Sequence, residues 1–191
     1  MIALISGLVI FFAVHSISIV NHDWRNRMAD RLGENPWKAL YSLIALLGFL
    51  LIVWGYALSR QEPVTLYSPP AQLRQIALLL LLPVFPLLVS TYLPGRIQAA
   101  TRHPMLVATM LWALAHLLVN GTLADVLLFG AFLVWSIIDL ASLQYRSGPP
   151  VPRAPTSAAN DVIAVILGLA LYVAFAIWLH AWLFKTPVIE L

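Results

Sequence analysis

The chain has 191 residues, of which 61% are hydrophobic and only 10% are charged, whereas soluble domains carry about 25% charged residues. This composition excludes an ordinary soluble domain and predicts an all-α, polytopic integral membrane protein. The net charge of +3 comes from basic residues scattered around apolar runs, which excludes nucleic acid as an expected partner. Cysteine is absent, which excludes disulfides, thiolate metal sites and c-type haem.

Mainly apolar segments approach the length of about 20 residues that a membrane helix needs. They are residues 2–21, 38–58, 73–93, 104–120, 122–144 and 162–184. The first has no basic region before it and no cleavage site after it, so we interpret it as a retained helix and not a signal peptide. We therefore expect a single domain over residues 1–191, built as a bundle of about six transmembrane helices.

Breaks in the apolar pattern predict where these helices end or bend. The segments "NHDWRNRMADRLGENP" and "PGRIQAATRH" are predicted as polar connections, and "QYRSGPPVPRAPTSAAND" as a flexible loop. Pro83 and Pro86 remove backbone donors and should kink the third span. The turn signal Asn120-Gly121 predicts that the fourth and fifth spans form a hairpin.

Six spans would place both termini on the same side of the membrane. That side carries Arg60, Arg74 and Lys185, whereas the opposite side carries Arg25, Arg27, Arg31, Lys38, Arg96, Arg102, Arg146 and Arg153. Because basic loops stay in the cytoplasm, we predict a bacterial inner-membrane protein with both termini outside. Membrane lipid is then its expected surrounding partner.

Two histidines, His15 and His116, lie inside apolar spans and are the strongest candidates for a site, because ionisable residues there are often functional. Counted along their helices, they fall within roughly 10 Å of each other in depth. Two such imidazoles could face one cofactor, since imidazole is a usual ligand of haem iron and other transition metals. The structural alternative is a histidine that is hydrogen-bonded to a neighbouring helix.

The first four spans contain no Asp or Glu, which favours a cofactor that brings its own ligands, such as a porphyrin.

The remaining candidate residues are close to His116 in the sequence. Trp112, His116 and Asn120 should share one helical face, although aromatic residues at this spacing are more often packing residues. Arg102 and His103, just before a helix that begins at Pro104, form either an anion site or a membrane anchor.

Two carboxylates are predicted on the fifth span. Asp125 should lie near the outer surface, in contact with water. Asp139 should lie deeper and face the bundle, where it needs a partner.

The motifs "AVHS" in the first span and "TRHPMLVATMLWALAHLLVNG" in the fourth resemble those of the NnrU family of membrane proteins. Further matching segments are "LGENPWKALYSLIALLGFLLIVWGY" and "GTLADVLLFGAFLVWSIIDL", so the resemblance is strongest over residues 1–146. It implies an accessory role in nitric oxide or nitrite reduction, with respiratory reductase components as partners.

The family is also similar to plant 15-cis-zeta-carotene isomerase, which holds haem b between two histidines. By this resemblance the haem ligands would be His15 and His116, and a hydrophobic polyene would be the substrate. Where the isomerase has a cysteine three residues before the second ligand, this chain has Ala113. The resemblance therefore leaves open whether the protein is an enzyme, with a haem-dependent isomerase as the alternative function.

A more distant resemblance connects Arg102-His103-Pro104 with isoprenylcysteine carboxyl and phospholipid methyltransferases. Those enzymes carry paired glutamates afterwards, whereas Glu190 is the only glutamate after Glu62 here. A membrane methyltransferase or a non-enzymatic scaffold is thus the last alternative.

Overall fold

The computed structural model describes residues 1–146 and 153–188, and its regular structure over these ranges is helical, without strands. The helices are α1 (Ile2–Val20), α2 (His22–Leu32), α3 (Glu34–Ser59), α4 (Leu73–Leu81), α5 (Val84–Ser90), α6 (Arg96–Thr101), α7 (Pro104–Val119), α8 (Leu123–Ser142), α9 (Ala158–Ala174) and α10 (His180–Phe184). A π-helical turn, Phe175–Leu179, joins α9 to α10. The predicted loop over 144–161 lies partly outside the described residues.

Within the described residues, five helical stretches are long and apolar enough to cross a membrane. They are Ile2–Val20, Glu34–Ser59, Leu73–Ser90, Leu123–Ser142 and Ala158–Phe184. The remaining predicted span forms α7, whose 16 residues extend about 24 Å, less than the roughly 30 Å of a bilayer core. The all-α polytopic class is therefore confirmed, while the side on which the termini lie stays a prediction.

The described helices fall into two compact units. The first comprises Met1–Pro69 with Asn120–Pro149, and the second comprises Pro70–Val119 with Pro150–Leu191. The first unit therefore contains α1, α2, α3 and α8, and the second contains the remaining helices.

Glycines join α1 and α3 closely in the first unit. A Cβ atom at Gly7 would lie 2.6 Å from the backbone nitrogen of Ile52, and one at Gly48 would lie 2.7 Å from that of Phe11. A Cβ atom at Gly55 would overlap the backbone of Leu4. Small residues at such positions let membrane helices approach backbone to backbone. This contact fixes α1, which carries His15, against α3.

The start of α8 is buried, and this corrects the prediction that Asp125 is in contact with water. Asp125 is only 5% exposed. It accepts hydrogen bonds from the Tyr56 hydroxyl and the Thr122 hydroxyl, both at 2.6 Å, and from the Thr122 backbone N–H at 2.9 Å. The prediction was wrong because these donors compensate the carboxylate for the loss of water, and Tyr56 is far from Asp125 in the chain.

Prolines interrupt the third span in the second unit, as predicted. The helix divides into α4 and α5 around Pro83, since neither Pro83 nor Pro86 has an N–H to continue the hydrogen-bond ladder. α9 passes close to this break, because a Cβ atom at Gly168 would overlap the backbone of Pro86. The Tyr172 hydroxyl on the same helix donates to the carbonyl of Leu78 at 3.1 Å.

Two short helices form where polar connections were predicted. The Asn21 side chain caps α2 by accepting from the backbone N–H of Trp24 at 2.9 Å. The carboxylate of Asp161 accepts from the backbone N–H groups of Arg96 and Ile97, at 2.9 and 3.0 Å, at the start of α6. Average hydropathy missed both helices because they are short and polar.

Candidate functional site

His15 lies in α1 in the first unit, half-buried among aromatic rings. Its Nδ1 donates to the carbonyl of Phe11, one helical turn earlier, at 2.7 Å. The Phe11 ring stacks on the imidazole with the ring centroids 4.0 Å apart, and the centroids of Tyr41 and Trp135 lie 5.3 and 5.7 Å away. The imidazole is therefore held in one orientation by its own helix and its neighbours.

The hydrogen bond of His15 determines which ring nitrogen can bind a metal. A carbonyl oxygen can only accept, so Nδ1 carries the hydrogen in the neutral imidazole. Nε2 then carries the lone pair, which is the form that ligates a metal.

Two aromatic residues of α8, Phe132 and Trp135, complete the surroundings of His15. They are three residues apart and therefore share a helical face. Phe12 contacts both of them, with centroid distances of 4.9 Å to Phe132 and 5.7 Å to Trp135. The indole Nε1 of Trp135 is buried and has no hydrogen-bond partner among the described residues. Sequence reasoning missed this face, although the spacing of the two aromatic residues was a usable signal.

Asp139 has the partner that the sequence analysis predicted it would need. Its carboxylate forms an ion pair with Arg146, and the two side chains are only 13% and 12% exposed. The Ser142 hydroxyl accepts from Nε of Arg146 at 2.9 Å.

His116 lies in α7 in the second unit and has the same local geometry as His15. Its Nδ1 donates to the carbonyl of Trp112, one turn earlier, at 2.7 Å. The centroids of the two rings are 5.1 Å apart. The Trp112 side chain also packs against a core of Val84, Leu87 and Ala108. His116 is thereby oriented in the tautomer that carries the lone pair on Nε2.

The spacing predicted that Asn120 shares the helical face of Trp112 and His116, but the helix ends one residue before Asn120. α7 ends at Val119, and the backbone carbonyl of Asn120 accepts a hydrogen bond from the Tyr67 hydroxyl at 2.7 Å in the first unit. The turn signal Asn120-Gly121 ends the helix because glycine permits the close approach. A Cβ atom at Gly121 would overlap the Tyr67 carbonyl.

Arg102 and His103 form the turn between α6 and α7. Arg102 is exposed and has a φ of 59°, a backbone conformation that is strained for a residue with a side chain. Pro104 begins α7, as predicted, and is fully buried. The carbonyl of His103 accepts from the N–H of Leu106 at 3.1 Å, so His103 caps the helix through its backbone.

The donor set can be compared with what a cofactor would require. Over residues 1–146 and 153–188, no group of three or more His, Cys, Asp or Glu could hold a bare metal ion. Single oriented imidazoles with aromatic neighbours instead fit a group that supplies most of its own ligands, as a porphyrin does. The unpartnered indole N–H of Trp135 is a further polar atom available to a bound molecule.

Comparison with known proteins identifies one family. The model of the family described as NnrU protein matches residues 3–188, which is nearly the whole chain. No curated protein and no solved structure matches the chain.

Proposed function

The chain belongs to the NnrU protein family, and from this membership and the two oriented imidazoles we propose that it binds haem b in the bacterial inner membrane and assists nitric oxide or nitrite reduction. His15 and His116 would each supply one nitrogen ligand to the iron. The expected partners are components of the respiratory reductases.

The observation that carries this proposal is the matched geometry of the two histidines. Each donates from Nδ1 to the carbonyl four residues earlier, at 2.7 Å. Histidines that ligate metals usually donate their other ring N–H in this way, which fixes the ring and raises the basicity of the ligating nitrogen.

The chain's own residues would bind and shield the group. Phe11 and Trp135 pack against the imidazole of His15, and Trp112 holds His116 through its carbonyl. Arg102 and His103 would supply the positive charge for a propionate, and Asn120 would lie at its edge. An iron with two imidazole ligands supplies reversible one-electron chemistry when the group is bound.

The alternative function is a haem-dependent cis–trans isomerase acting on a lipid-phase polyene. Ala113 stands where the similar isomerase has a cysteine, and it is completely buried beside the Trp112–His116 turn. This chain therefore offers no thiol at that position, which favours the accessory role. Incubation of the reduced protein with a poly-cis carotenoid separates the two, because only the isomerase would change the product profile.

The test is the absorption spectrum of the purified protein, oxidised and then reduced, compared with those of His15→Ala and His116→Ala. We expect a sharp reduced α-band that is lost or shifted in both variants. His180→Ala is the matched control, because His180 makes the same kind of bond, from Nδ1 to the Thr186 carbonyl at 2.7 Å, in an exposed position.

A second variant separates loss of a ligand from loss of folding. His15→Gly leaves space for free imidazole, which should restore the α-band if His15 is a ligand. An unchanged spectrum in both alanine variants would refute the assignment, and a colourless protein made with ample haem would favour a scaffold or a methyltransferase.

A further inference from the structure

A pocket of about 270 Å³ opens beside His15 in the first unit. Its walls come from the second half of α1, the first residues of α2 and the first turns of α3. Ile17 contributes apolar surface, while Arg25, Lys38 and Tyr41 contribute polar groups. The volume is close to the lower end of the roughly 300–1,000 Å³ that ligand pockets usually measure, which is room for a small polar headgroup.

The mouth of this pocket carries excess positive charge. The guanidinium of Arg25 donates to the neutral Asn26 amide at 3.1 Å. Lys38 is 2.6 Å from Glu34, but the two side chains are 59% and 70% exposed, so water screens the pair strongly. Two cations and one carboxylate leave a net charge of about +1, which one anionic group would neutralise.

An apolar pocket of about 350 Å³ adjoins the first one, since Ile17 lines both. Its other walls include Val20 and Trp24. The Trp24 ring meets Trp37 edge-on with centroids 6.0 Å apart, and tryptophan prefers the interface between membrane and water. A charged pocket thus lies beside an apolar one where α1 turns into the polar helix α2.

We propose that these two pockets together bind one anionic phospholipid. Its phosphate lies between Arg25 and Lys38, within reach of the Tyr41 hydroxyl, and an acyl chain follows Ile17 and Trp24. The net positive charge of the pocket selects an anionic lipid over a zwitterionic one, because the cationic headgroup of a zwitterionic lipid cancels the charge of its phosphate. His15 also lines the first pocket, but the proposal uses only the two cations, Tyr41 and the apolar walls, so it does not rest on haem binding.

The experiment measures lipid binding to the purified full-length protein by native mass spectrometry, with phosphatidylglycerol and phosphatidylcholine as probes. The pocket variant is Arg25→Gln with Lys38→Gln. The matched control is Arg27→Gln with Arg31→Gln. It removes the same amount of positive charge, from two residues of α2 that line neither pocket.

We expect the wild-type protein to prefer phosphatidylglycerol over phosphatidylcholine. The pocket variant should bind phosphatidylglycerol about 25-fold more weakly, because each of the two lost cations contributes about fivefold. The control should change by less than about twofold, and Arg25→Lys with Lys38→Arg should retain binding, which distinguishes lost charge from lost folding. Inorganic phosphate at equal concentration should not compete.

Three results would overturn the proposal. Equal losses in the pocket variant and the control would mean a diffuse attraction to the membrane surface. Full competition by inorganic phosphate would mean a site for the free anion. Loss of haem with unchanged lipid affinity would mean that the two cations serve a propionate.

Discussion

The two units join their helices by different means. In the first unit, α1 and α3 are uninterrupted and meet through glycines, and a buried carboxylate, Asp125, links α3 to α8. In the second unit, proline and a π turn interrupt the helices, and four side chains bond to backbone groups outside their own helices. Arg74 bonds to the backbone of Val188, and Tyr172 bonds to that of Leu78. Asn160 bonds to the backbone of Pro94 and Pro155, and Asp161 bonds to that of Arg96 and Ile97.

The difference follows from the cost of unpaired backbone groups in a membrane. A continuous helix satisfies its own backbone, so the first unit can use its contacts for close approach of helices. Each helix end leaves backbone groups that need partners, and in the second unit Asp161 accepts from the first N–H groups of α6. Substitutions in the first unit should therefore act on contacts between helices, and those in the second on individual helix ends.

The largest effect is expected from Gly55→Leu in the first unit. The new side chain would overlap the backbone of Leu4, which cannot move without separating α1 from α3. We expect a loss of about 3 kcal/mol or more in the free energy of unfolding, measured by denaturation in detergent. Gly130→Leu is the control, because a Cβ atom at Gly130 meets nothing within 4 Å. Equal losses in both variants would contradict close glycine packing as the cause.

Asp125→Ala should have the next largest effect. It leaves the Tyr56 and Thr122 hydroxyls without their acceptor in a buried position. The expected loss is about 2–3 kcal/mol in the free energy of unfolding. Asp30→Ala, at an exposed position on α2, should change little. A double mutant with Tyr56→Phe checks the cause, since non-additive losses of stability are expected for residues in contact. Strict additivity would argue against the Tyr56–Asp125 bond.

The smallest effect is expected from Asp161→Ala in the second unit. Asp161 is accessible to solvent and acts on the first turn of α6 alone, so its removal should lower stability less than either change above, as for the loss of a helix cap. Hydrogen exchange should show faster exchange of the amides of Arg96 and Ile97, with little change in α3 or α8. A global loss of protection would mean that the second unit depends on this contact as much as the first does on Asp125.

Local sequence determined much of this protein. The apolar runs predicted the all-helical membrane class, and Pro83, Pro104 and Asn120-Gly121 gave the positions of a break, a helix start and a helix end. These predictions succeeded because hydropathy and backbone restriction act within a few residues. The matching Nδ1 bonds of His15 and His116 are local in the same sense, since each carbonyl acceptor is four residues away.

Tertiary structure decided which polar residues are buried and with which partners. Asp125 is buried because Tyr56, 69 residues away, donates to it, and α6 begins where it does because Asp161, 64 residues beyond Ile97, accepts from its first turn. The aromatic residues around His15 likewise come from three helices. A local sequence pattern could not predict these partners, because they are far away in the chain. A carboxylate or an imidazole is stabilised by whichever donors and rings the fold brings to it.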